Sequence, residues 1–304
     1  MPRTARGLRT VRLVILALVA AAPVAARAGD ETEAETAQVT SIAVDGTILK
    51  IALSDGRVLA SRDLIGSNML FDQGDRVRRV RLDGVERDPD DKRRDVAPAD
   101  AIWLHSFAVE RPDGSWGPLC GDGPDGRRQA IPVAGRFSSA NGRFGAGGPG
   151  SFELACTAGA MGKCIRLGYH PWRAGDLPRP PPHHDGEPDL SHPDPSHLDL
   201  FNACVRMVRA DYGGDGTATT RNGMIIDIYD DQGIQVPETD HRMAFEAGWT
   251  QDGAVCVNHP RVKKNISLGE IEERWHRLAG RTGASCTEEA ARSLGALLFN
   301  SSIP

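Results

Sequence analysis

Two aspartates and two histidines are the residues whose types could carry out acid–base chemistry. Asp211 and Asp215 lie on either side of Tyr-Gly-Gly in a glycine-rich turn, and His241 and His259 follow the turn along the chain. Two carboxylates can divide the acid and base roles of hydrolysis when their environments differ, and a histidine can act as a base near neutral pH. Nothing in the sequence brings the four together, so they form a catalytic site only if the fold does.

The aspartates around this turn are also candidate calcium ligands. Asp227, Asp230 and Asp231 follow Asp211 and Asp215, and Ca²⁺ takes roughly six to eight oxygen ligands. The spacing is not that of an EF-hand loop, because no acid falls at the alternate positions and no glutamate closes the set. Aspartates also favour turns through local side-chain to backbone hydrogen bonds. A calcium site and ordinary turn chemistry both stay open.

A second group of candidate metal ligands lies in the stretch 176–199, which contains seven prolines and four histidines. Such a composition cannot bury a core, so we expect a loop or flexible insertion. Histidine clusters can bind Zn²⁺, but a proline-rich loop holds ligands in a fixed geometry only if the metal itself orders it. No cofactor is predicted, and Ca²⁺ or Zn²⁺ remain alternatives. The histidines are His183, His184, His192 and His197.

The six cysteines predict disulfides. An even count suggests three bridges in an oxidising compartment, and no CxxC pair points to zinc. A bridged sulfur also has no thiolate with which to act as a nucleophile. The sequence leaves about 15 connectivities open. Pairing neighbours in chain order, with Cys204 on a helix face that also carries Phe201 and Val208, predicts the bridges Cys120–Cys156, Cys164–Cys204 and Cys256–Cys286.

Residues 1–28 have the order of a secretory signal peptide. Four arginines precede an apolar run over residues 13–22, and Ala26-Arg27-Ala28 supplies a cleavage site after Ala28. A run of about ten apolar residues is too short to span a bilayer, which takes roughly 20. The pattern predicts a periplasmic or secreted protein whose mature chain has no transmembrane anchor.

The charge of the mature chain argues against nucleic acid as a partner. Cleavage removes five of the 36 basic residues, so that 31 face 41 acidic residues and the formal charge becomes −10. Nucleic acid and anionic lipid both reward clustered Lys and Arg. The run RVRRVR at 76–81 is more typical of a strand with a solvated charged face. We expect the partner to be an extracytoplasmic ligand or protein, whose identity the sequence does not reveal.

Strand patterns dominate the first part of the chain and helix patterns the last. Residues 29–98 predict an N-terminal antiparallel β module and linker, because β-branched runs are separated by Asp45-Gly46 and Asp55-Gly56 turns. Residues 99–304 predict a disulfide-bridged α+β domain with the insertion at 176–199. Its helices are expected at 158–167, at 198–210 with Ser196 as N-cap, after the capping box Ser267–Glu270, and at 287–299. The fold class is therefore α+β.

Several unusual blocks resemble a known family. The blocks are PLC at 118–120, FELACTAGAMGKCIRLGYHPW at 152–172, RMVRADYGGDG at 206–216 and GWTQDGAVCVNHPR at 248–261. They are similar to those of bacterial ADYC domain proteins, an exported family of unknown function named for Ala-Asp-Tyr-Cys. Gly213 stands here where the motif has its cysteine. The resemblance implies an extracytoplasmic domain and no particular activity.

Together these patterns favour an exported structural or binding protein with a disulfide-stabilised scaffold. The glycine turn after Tyr212 would then belong to a ligand-facing or architectural surface. The alternative is a hydrolase of cell-envelope material that uses Asp211, Asp215 and either His241 or His259. No GxSxG elbow for a serine hydrolase occurs in the sequence.

Overall fold

The computed structural model describes residues 37–72, 77–91, 100–123, 125–175, 177, 195–238, 240 and 242–304. The predicted signal peptide, residues 92–99 of the predicted linker and most of the histidine-rich insertion lie outside these residues. The described chain divides into two compact units. We call residues 37–135 with 146–158 the N-terminal unit, and residues 136–145 with 159–304 the C-terminal unit.

The elements follow one another in a largely β order with helices in the second half. The strands are β1 Val39–Asp45, β2 Ile48–Leu53, β3 Val58–Ala60, β4 Asn68–Asp72, β5 Val77–Arg87, β6 Trp103–Glu110, β7 Trp116–Pro118, β8 Gln129–Ala134, β9 Arg136–Ser138, β10 Arg143–Gly145, β11 Phe152–Cys156, β12 Ile226–Asp230, β13 Ala244–Thr250, β14 Gly253–Val257 and β15 Leu298–Ser302. The helices are α1 Ala160–Arg166, α2 His197–Arg209, α3 Leu268–Arg274 and α4 Glu288–Ser293.

The N-terminal unit is built from two antiparallel sheets. One has the order β1-β2-β3, and the other has the order β11-β8-β6-β5-β4 with β7 added to β6. The Asp-Gly turns connect β1 to β2 and β2 to β3, as predicted, with Gly46 and Gly56 at positive φ. In β5, Val80 and Leu82 are buried, whereas Arg78 and Arg79 are exposed and Arg81 is half-buried. The strand with a charged solvated face is therefore confirmed.

One core serves both sheets of this unit. Its buried members are Leu49, Ile51, Leu64, Met69, Phe71, Val80, Leu82, Phe107, Cys120, Ala130 and Phe152. The sheet continues across the boundary that we expected near residue 99, because β5 pairs antiparallel with β6 over Val80–Arg87 and Trp103–Val109. The compact units instead change over near residues 135 and 158.

The C-terminal unit combines helices with a four-stranded antiparallel sheet of order β12-β15-β13-β14 and the short hairpin of β9 and β10. Helix α2 lies against β13, β14, β15 and β10 and is buried from Leu200 to Met207. Its N-cap is Ser196, whose hydroxyl accepts a hydrogen bond from the Asp199 amide at 3.1 Å. The Ser267–Glu270 capping box is also present at the start of α3. The α+β fold class and both helix starts are as predicted.

The predicted helix over 287–299 is wrong in its second half. Helix α4 ends at Ser293, and Gly295 then takes φ 78°. A left-handed residue turns the chain out of the helix and favours glycine. Leu298 and Phe299 consequently belong to β15, a central strand of the sheet. Among the described helices, none is long and apolar enough to cross a membrane.

Three disulfides join the pairs predicted from chain order. They are Cys120–Cys156 in the N-terminal unit, and Cys164–Cys204 and Cys256–Cys286 in the C-terminal unit. The Cys164–Cys204 bridge ties α1 to the buried face of α2. No described cysteine is free. All six sulfurs are therefore structural.

Candidate functional site

The glycine turn begins where α2 ends in an unusual backbone conformation. Ala210, the C-cap, has φ 48° and ψ 45°, and it is the non-glycine residue at positive φ within the described part of the chain. This conformation disfavours L residues with a Cβ and is retained only where surrounding contacts impose it. Asp211 is the next residue, and the turn glycines Gly214 and Gly216 follow within six residues of Ala210. The turn is therefore held by its neighbours and not by local preference.

Asp211 supplies the main contact, because its carboxylate closes the turn onto the helix. It accepts hydrogen bonds from Arg206 Nη1 at 2.6 Å, from the Gly214 amide at 3.0 Å and from the Gly216 amide at 2.9 Å. The side chains of Asp211 and Arg206 are 0% and 1% exposed. A buried ion pair is tolerated when further hydrogen bonds satisfy the remaining oxygens and protons, as they do here.

Arg206 connects this carboxylate to two other loops of the C-terminal unit. Its Nη2 donates to the carbonyl of Asn141 at 2.6 Å, and its Nε donates to the carbonyl of Gln251 at 3.1 Å. Asn141 lies between β9 and β10, and Gln251 lies between β13 and β14. One guanidinium therefore joins α2, the glycine turn and both hairpins.

The glycines of the turn permit close approach of other groups. A Cβ on Gly213 would lie 2.0 Å from Cε2 of Trp275, and a Cβ on Gly214 would lie 1.8 Å from the carbonyl oxygen of Asp252. Gly214 also has φ 72°. A larger residue at either position would collide with its neighbour. The turn is thus packed, which leaves no open space above Gly213 for a ligand.

Tyr212 points into a buried polar network on the sheet. Its hydroxyl donates to Glu246 Oε1 at 2.9 Å and accepts from the Arg261 amide at 2.9 Å. Arg261 Nε donates to Glu246 Oε2 at 3.0 Å, and Asn300 Nδ2 donates to the same oxygen at 2.8 Å. The ring of Tyr212 stacks on Trp249 with centroids 5.3 Å apart. Both carboxylate oxygens of Glu246 therefore have partners inside the fold.

Burial controls the ionisation of Tyr212. Removal from water, together with the charge of Glu246, raises the pKa of the Tyr212 hydroxyl well above its usual value. The hydroxyl stays protonated and acts as a hydrogen-bond donor at any physiological pH. This role requires a neutral tyrosine and fits a structural network.

Asp215 is the exposed acid of the turn. Its carboxylate accepts from the Thr217 amide at 2.8 Å, from Trp275 Nε1 at 3.1 Å and from Arg274 Nη2 at 3.3 Å. Partial burial acts to raise the pKa of Asp215, but the hydrogen bonds from Thr217 and Trp275 and the charge of Arg274 outweigh it and lower the pKa. A lowered pKa favours the ionised form and disfavours a general acid.

His259 is not brought to either aspartate. His259 is 7% exposed, and its Nε2 lies 3.1 Å from the hydroxyl of Ser302, which is itself buried. Burial lowers the pKa of His259, although the charge of Glu246 works in the opposite direction. In the described residues no hydrogen bond links His259 to Asp211 or Asp215. His241 lies outside the described residues.

Three of the four candidate histidine ligands lie outside the described part of the chain. His183, His184 and His192 lie outside the described residues, and His197 is the first residue of α2. Burial and the nearby charge of Arg173 lower the pKa of His197. Asp230 is engaged in hydrogen bonds with Tyr169 and the backbone amides of residues 232, 234 and 235. Within the described ranges, no group of three His, Cys, Asp or Glu side chains is arranged to hold a metal ion.

Two features with functional potential were not predicted. One is the Tyr212–Glu246–Arg261 network, for which the sequence signal was a glutamate between aromatic residues in the strand pattern FEAGW. The other is an open cleft of about 460 Å³ on the sheet of the N-terminal unit, next to Arg81, Trp116 and Gln129. Its arginines come from β5 and from the loop before β8, which are distant in sequence, so no local pattern marks it.

Comparison with known proteins places the chain in a family. The ADYC domain matches residues 61–263, about two thirds of the chain, and this range includes Asp211, Tyr212, Glu246 and Arg261. No curated protein and no solved structure matches the chain. The motif Ala210-Asp211-Tyr212 sits at the centre of the buried contacts described above. The chain belongs to the ADYC domain family.

Proposed function

We propose that this protein is an exported structural or binding protein whose disulfide-bridged fold is a scaffold for an extracytoplasmic ligand. The proposal rests on the burial and hydrogen bonding of the motif residues Asp211 and Tyr212. Asp211 and Tyr212 are both fully buried, and their polar atoms are used by Arg206, Glu246, Arg261 and the turn amides. Such residues specify a rigid architecture because each buried polar group has its partner.

The proposal includes location in the periplasm or outside the cell. The predicted signal peptide supports it, and so do three disulfides, since such bridges persist in oxidising compartments and are rare in the cytosol. Expression of the full chain in a bacterial host should give a periplasmic or secreted protein whose N-terminus begins at Gly29. A product that keeps residues 1–28 in the cytosol would contradict this part.

The alternative function, hydrolysis of cell-envelope material, has less support. It needs an accessible acid and base within reach of one substrate bond. Asp211 is 0% exposed, Asp215 is paired with Arg274 and Trp275, and His259 contacts the buried Ser302. Asp215 alone among these three is open to solvent. Asp215 and His259 therefore do not together supply an accessible acid and base, and His241 lies outside the described residues.

An assay on insoluble envelope material separates the two functions. Purified mature protein is incubated with the cell-wall and outer-membrane fraction of a bacterium, and both co-sedimentation and the release of soluble fragments are measured. We expect saturable co-sedimentation without released sugar or peptide. Release of fragments that Asp215→Asn or His259→Gln abolishes would establish the hydrolase instead. If the protein neither co-sediments with the envelope material nor releases fragments from it, the proposed binding role in the envelope is contradicted.

A further inference from the structure

The cleft of the N-terminal unit forms where one strand changes partner. Strand β6 pairs with β8 at His105 and Ser106, but pairs with β7 from Ala108 to Glu110. Between β7 and β8 the sheet surface opens, and Arg81 of β5 lines the same space. The volume of about 460 Å³ falls in the range of roughly 300–1,000 Å³ that small-molecule sites occupy. Most of its lining residues lie on strands of one sheet, and Arg127 and Arg128 lie in the loop before β8.

Two arginines of the cleft already form ion pairs with neighbouring carboxylates. Arg81 donates through Nε and Nη2 to the carboxylate of Asp83, and Arg128 donates through Nε and Nη2 to that of Asp122. These are the two-nitrogen edges with which a guanidinium would hold a carboxylate or phosphate. An incoming anion would also meet the two carboxylates already bound there. The pairs leave Nη1 of each arginine to donate single hydrogen bonds.

The third arginine lies near two different carboxylates. Arg127 Nη1 donates to Glu86 Oε1 at 2.6 Å, and Arg127 also lies 3.7 Å from Asp125. The acidic residues therefore balance the basic ones around the cleft. A charge-balanced cleft favours a polar ligand without net charge.

Gln129 supplies an acceptor that needs a donor. It is 7% exposed, and its Nε2 donates to Glu86 Oε1 at 2.7 Å. Since a carboxylate only accepts, this contact orients the amide with its nitrogen toward Glu86. The buried Oε1 has no hydrogen-bond partner among the described residues. A buried carbonyl of this kind is rare and unfavourable. A rotation of the Gln129 side chain toward the cleft would let a ligand hydroxyl donate to it.

The remaining wall is apolar and aromatic. Trp116 is half-buried, with the guanidinium of Arg81 4.7 Å from its ring centroid, and Pro118 and Phe107 lie beside it. A ligand that fits must therefore have hydroxyls that donate, oxygens that accept, no net charge and a face of C–H groups. Sugar rings combine all four. We propose that this cleft binds a neutral oligosaccharide, an inference that rests on the proposed binding function and names its ligand class.

Titration with defined oligosaccharides tests the inference. The mature protein is titrated by calorimetry with cellotetraose, chitotetraose and mannotetraose as neutral probes, and with tetragalacturonate and inorganic phosphate as anionic probes. Up to about 10 mM probe detects dissociation constants near 1 mM. We expect saturable binding of at least one neutral tetrasaccharide and no saturable binding of either anion.

Three variants locate the site. Arg81→Met removes a donor and the stack on Trp116, Gln129→Met removes the unpaired acceptor, and Arg79→Met is the matched control because Arg79 lies two residues along the same strand, outside the cleft. We expect each of the first two changes to raise Kd about tenfold, as loss of a hydrogen bond to a ligand does. The control should stay within about twofold. Circular dichroism checks that each variant is folded.

The outcomes that overturn the inference differ from those that overturn the binding function. If no neutral probe binds, or if an anionic probe binds in a manner that depends on Arg81, the assigned ligand class is wrong. If a neutral probe binds equally well to Arg81→Met and Gln129→Met, the assigned site is wrong. Saturable co-sedimentation with envelope material would stand in each case, so the proposed function would survive.

Discussion

The indole of Trp275 covers Gly213 so closely that a Cβ at position 213 would lie 2.0 Å from its Cε2. Trp275 is held there by the hydrogen bond from its Nε1 to Asp215 at 3.1 Å. A cysteine side chain at position 213 would need the volume that this indole fills. In this chain, glycine at 213 and tryptophan at 275 are therefore a matched pair.

A side chain at position 213 should destabilise the protein. We expect Gly213→Ala to lower the free energy of unfolding by about 1–3 kcal/mol, because overpacking forces the indole to move. Gly269→Ala is the control, since a Cβ there meets nothing within 4 Å inside α3. That change should be neutral or stabilise by up to about 1 kcal/mol. Urea unfolding measures both.

A double-mutant cycle identifies the cause. If the indole is what collides, Gly213→Ala should cost less in a Trp275→Ala background than in the native chain. An equal cost in both backgrounds would show that the two residues act independently.

The disulfides should contribute comparably to stability. They close loops with sequence separations of 36, 40 and 30, and the chain-entropy relation gives about 3.5–4 kcal/mol for each. We expect the Cys164→Ser/Cys204→Ser double variant to lose about this much in chemical unfolding. Non-reduced peptide mapping of the native protein should recover the three pairs. A fragment that joins Cys156 to Cys164 would contradict the connectivity.

The buried network predicts different effects at two tyrosines that both stack on aromatic rings. Tyr212→Phe leaves the Arg261 amide without its acceptor and Glu246 without one donor, so it should cost about 1–3 kcal/mol. Tyr229 stacks on Phe299, and its hydroxyl donates to the more exposed Glu288. Tyr229→Phe should cost less than about 1 kcal/mol. Equal losses would mean that the network adds nothing beyond an ordinary hydrogen bond.

Stability should fall in mild acid because of a buried histidine. Burial lowers the pKa of His105 to about 4 from 6.5. Its Nδ1 lies 3.1 Å from the carbonyl of Trp103 and its Nε2 lies 2.8 Å from the hydroxyl of Ser61, which suits a neutral ring. Below pH 6.5 the unfolded chain binds a proton that the folded chain does not bind. The loss therefore grows as pH falls from 6.5 to 4, to about 3 kcal/mol.

A variant isolates this contribution from that of the carboxylates. The difference in unfolding free energy between the native protein and His105→Asn should shrink as pH falls from 7 to 4. His259, whose pKa is also lowered by burial, should give a change in the same direction. A difference that is constant over this range would contradict the burial argument for His105.

Local patterns were sufficient for several parts of the fold. Ser196 and the Ser267–Glu270 pair predicted helix starts because capping depends on residues three apart in sequence. The chain-order pairing of Cys164 with Cys204 succeeded because α1, which carries Cys164, packs against α2, which carries Cys204. The end of α4 had a local signal in Gly295, which the apolar pattern of residues 294–299 concealed.

The polar contacts could not be predicted, because they depend on residues distant in sequence. The helical pattern predicts that Arg206 lies on the polar face of α2. The side chain is instead buried, and it donates to the carbonyls of Asn141 and Gln251, which are 65 and 45 residues away in sequence. Glu246 meets Arg261 only through the pairing of β13 with its neighbours. The cleft likewise depends on the point at which β6 changes from β8 to β7. No periodicity encodes such a register.

The most direct test of this account is the unfolding free energy of Asp211→Asn beside that of Asp215→Asn. If Asp211 is structural, its replacement leaves the charge of Arg206 buried without its partner and should cost about 3–5 kcal/mol. Asp215 is more exposed, so Asp215→Asn should lower the unfolding free energy by only about 0–1 kcal/mol. An Asp211→Asn protein as stable as the native chain, or more stable, would contradict the account and would mark Asp211 as a residue kept for function.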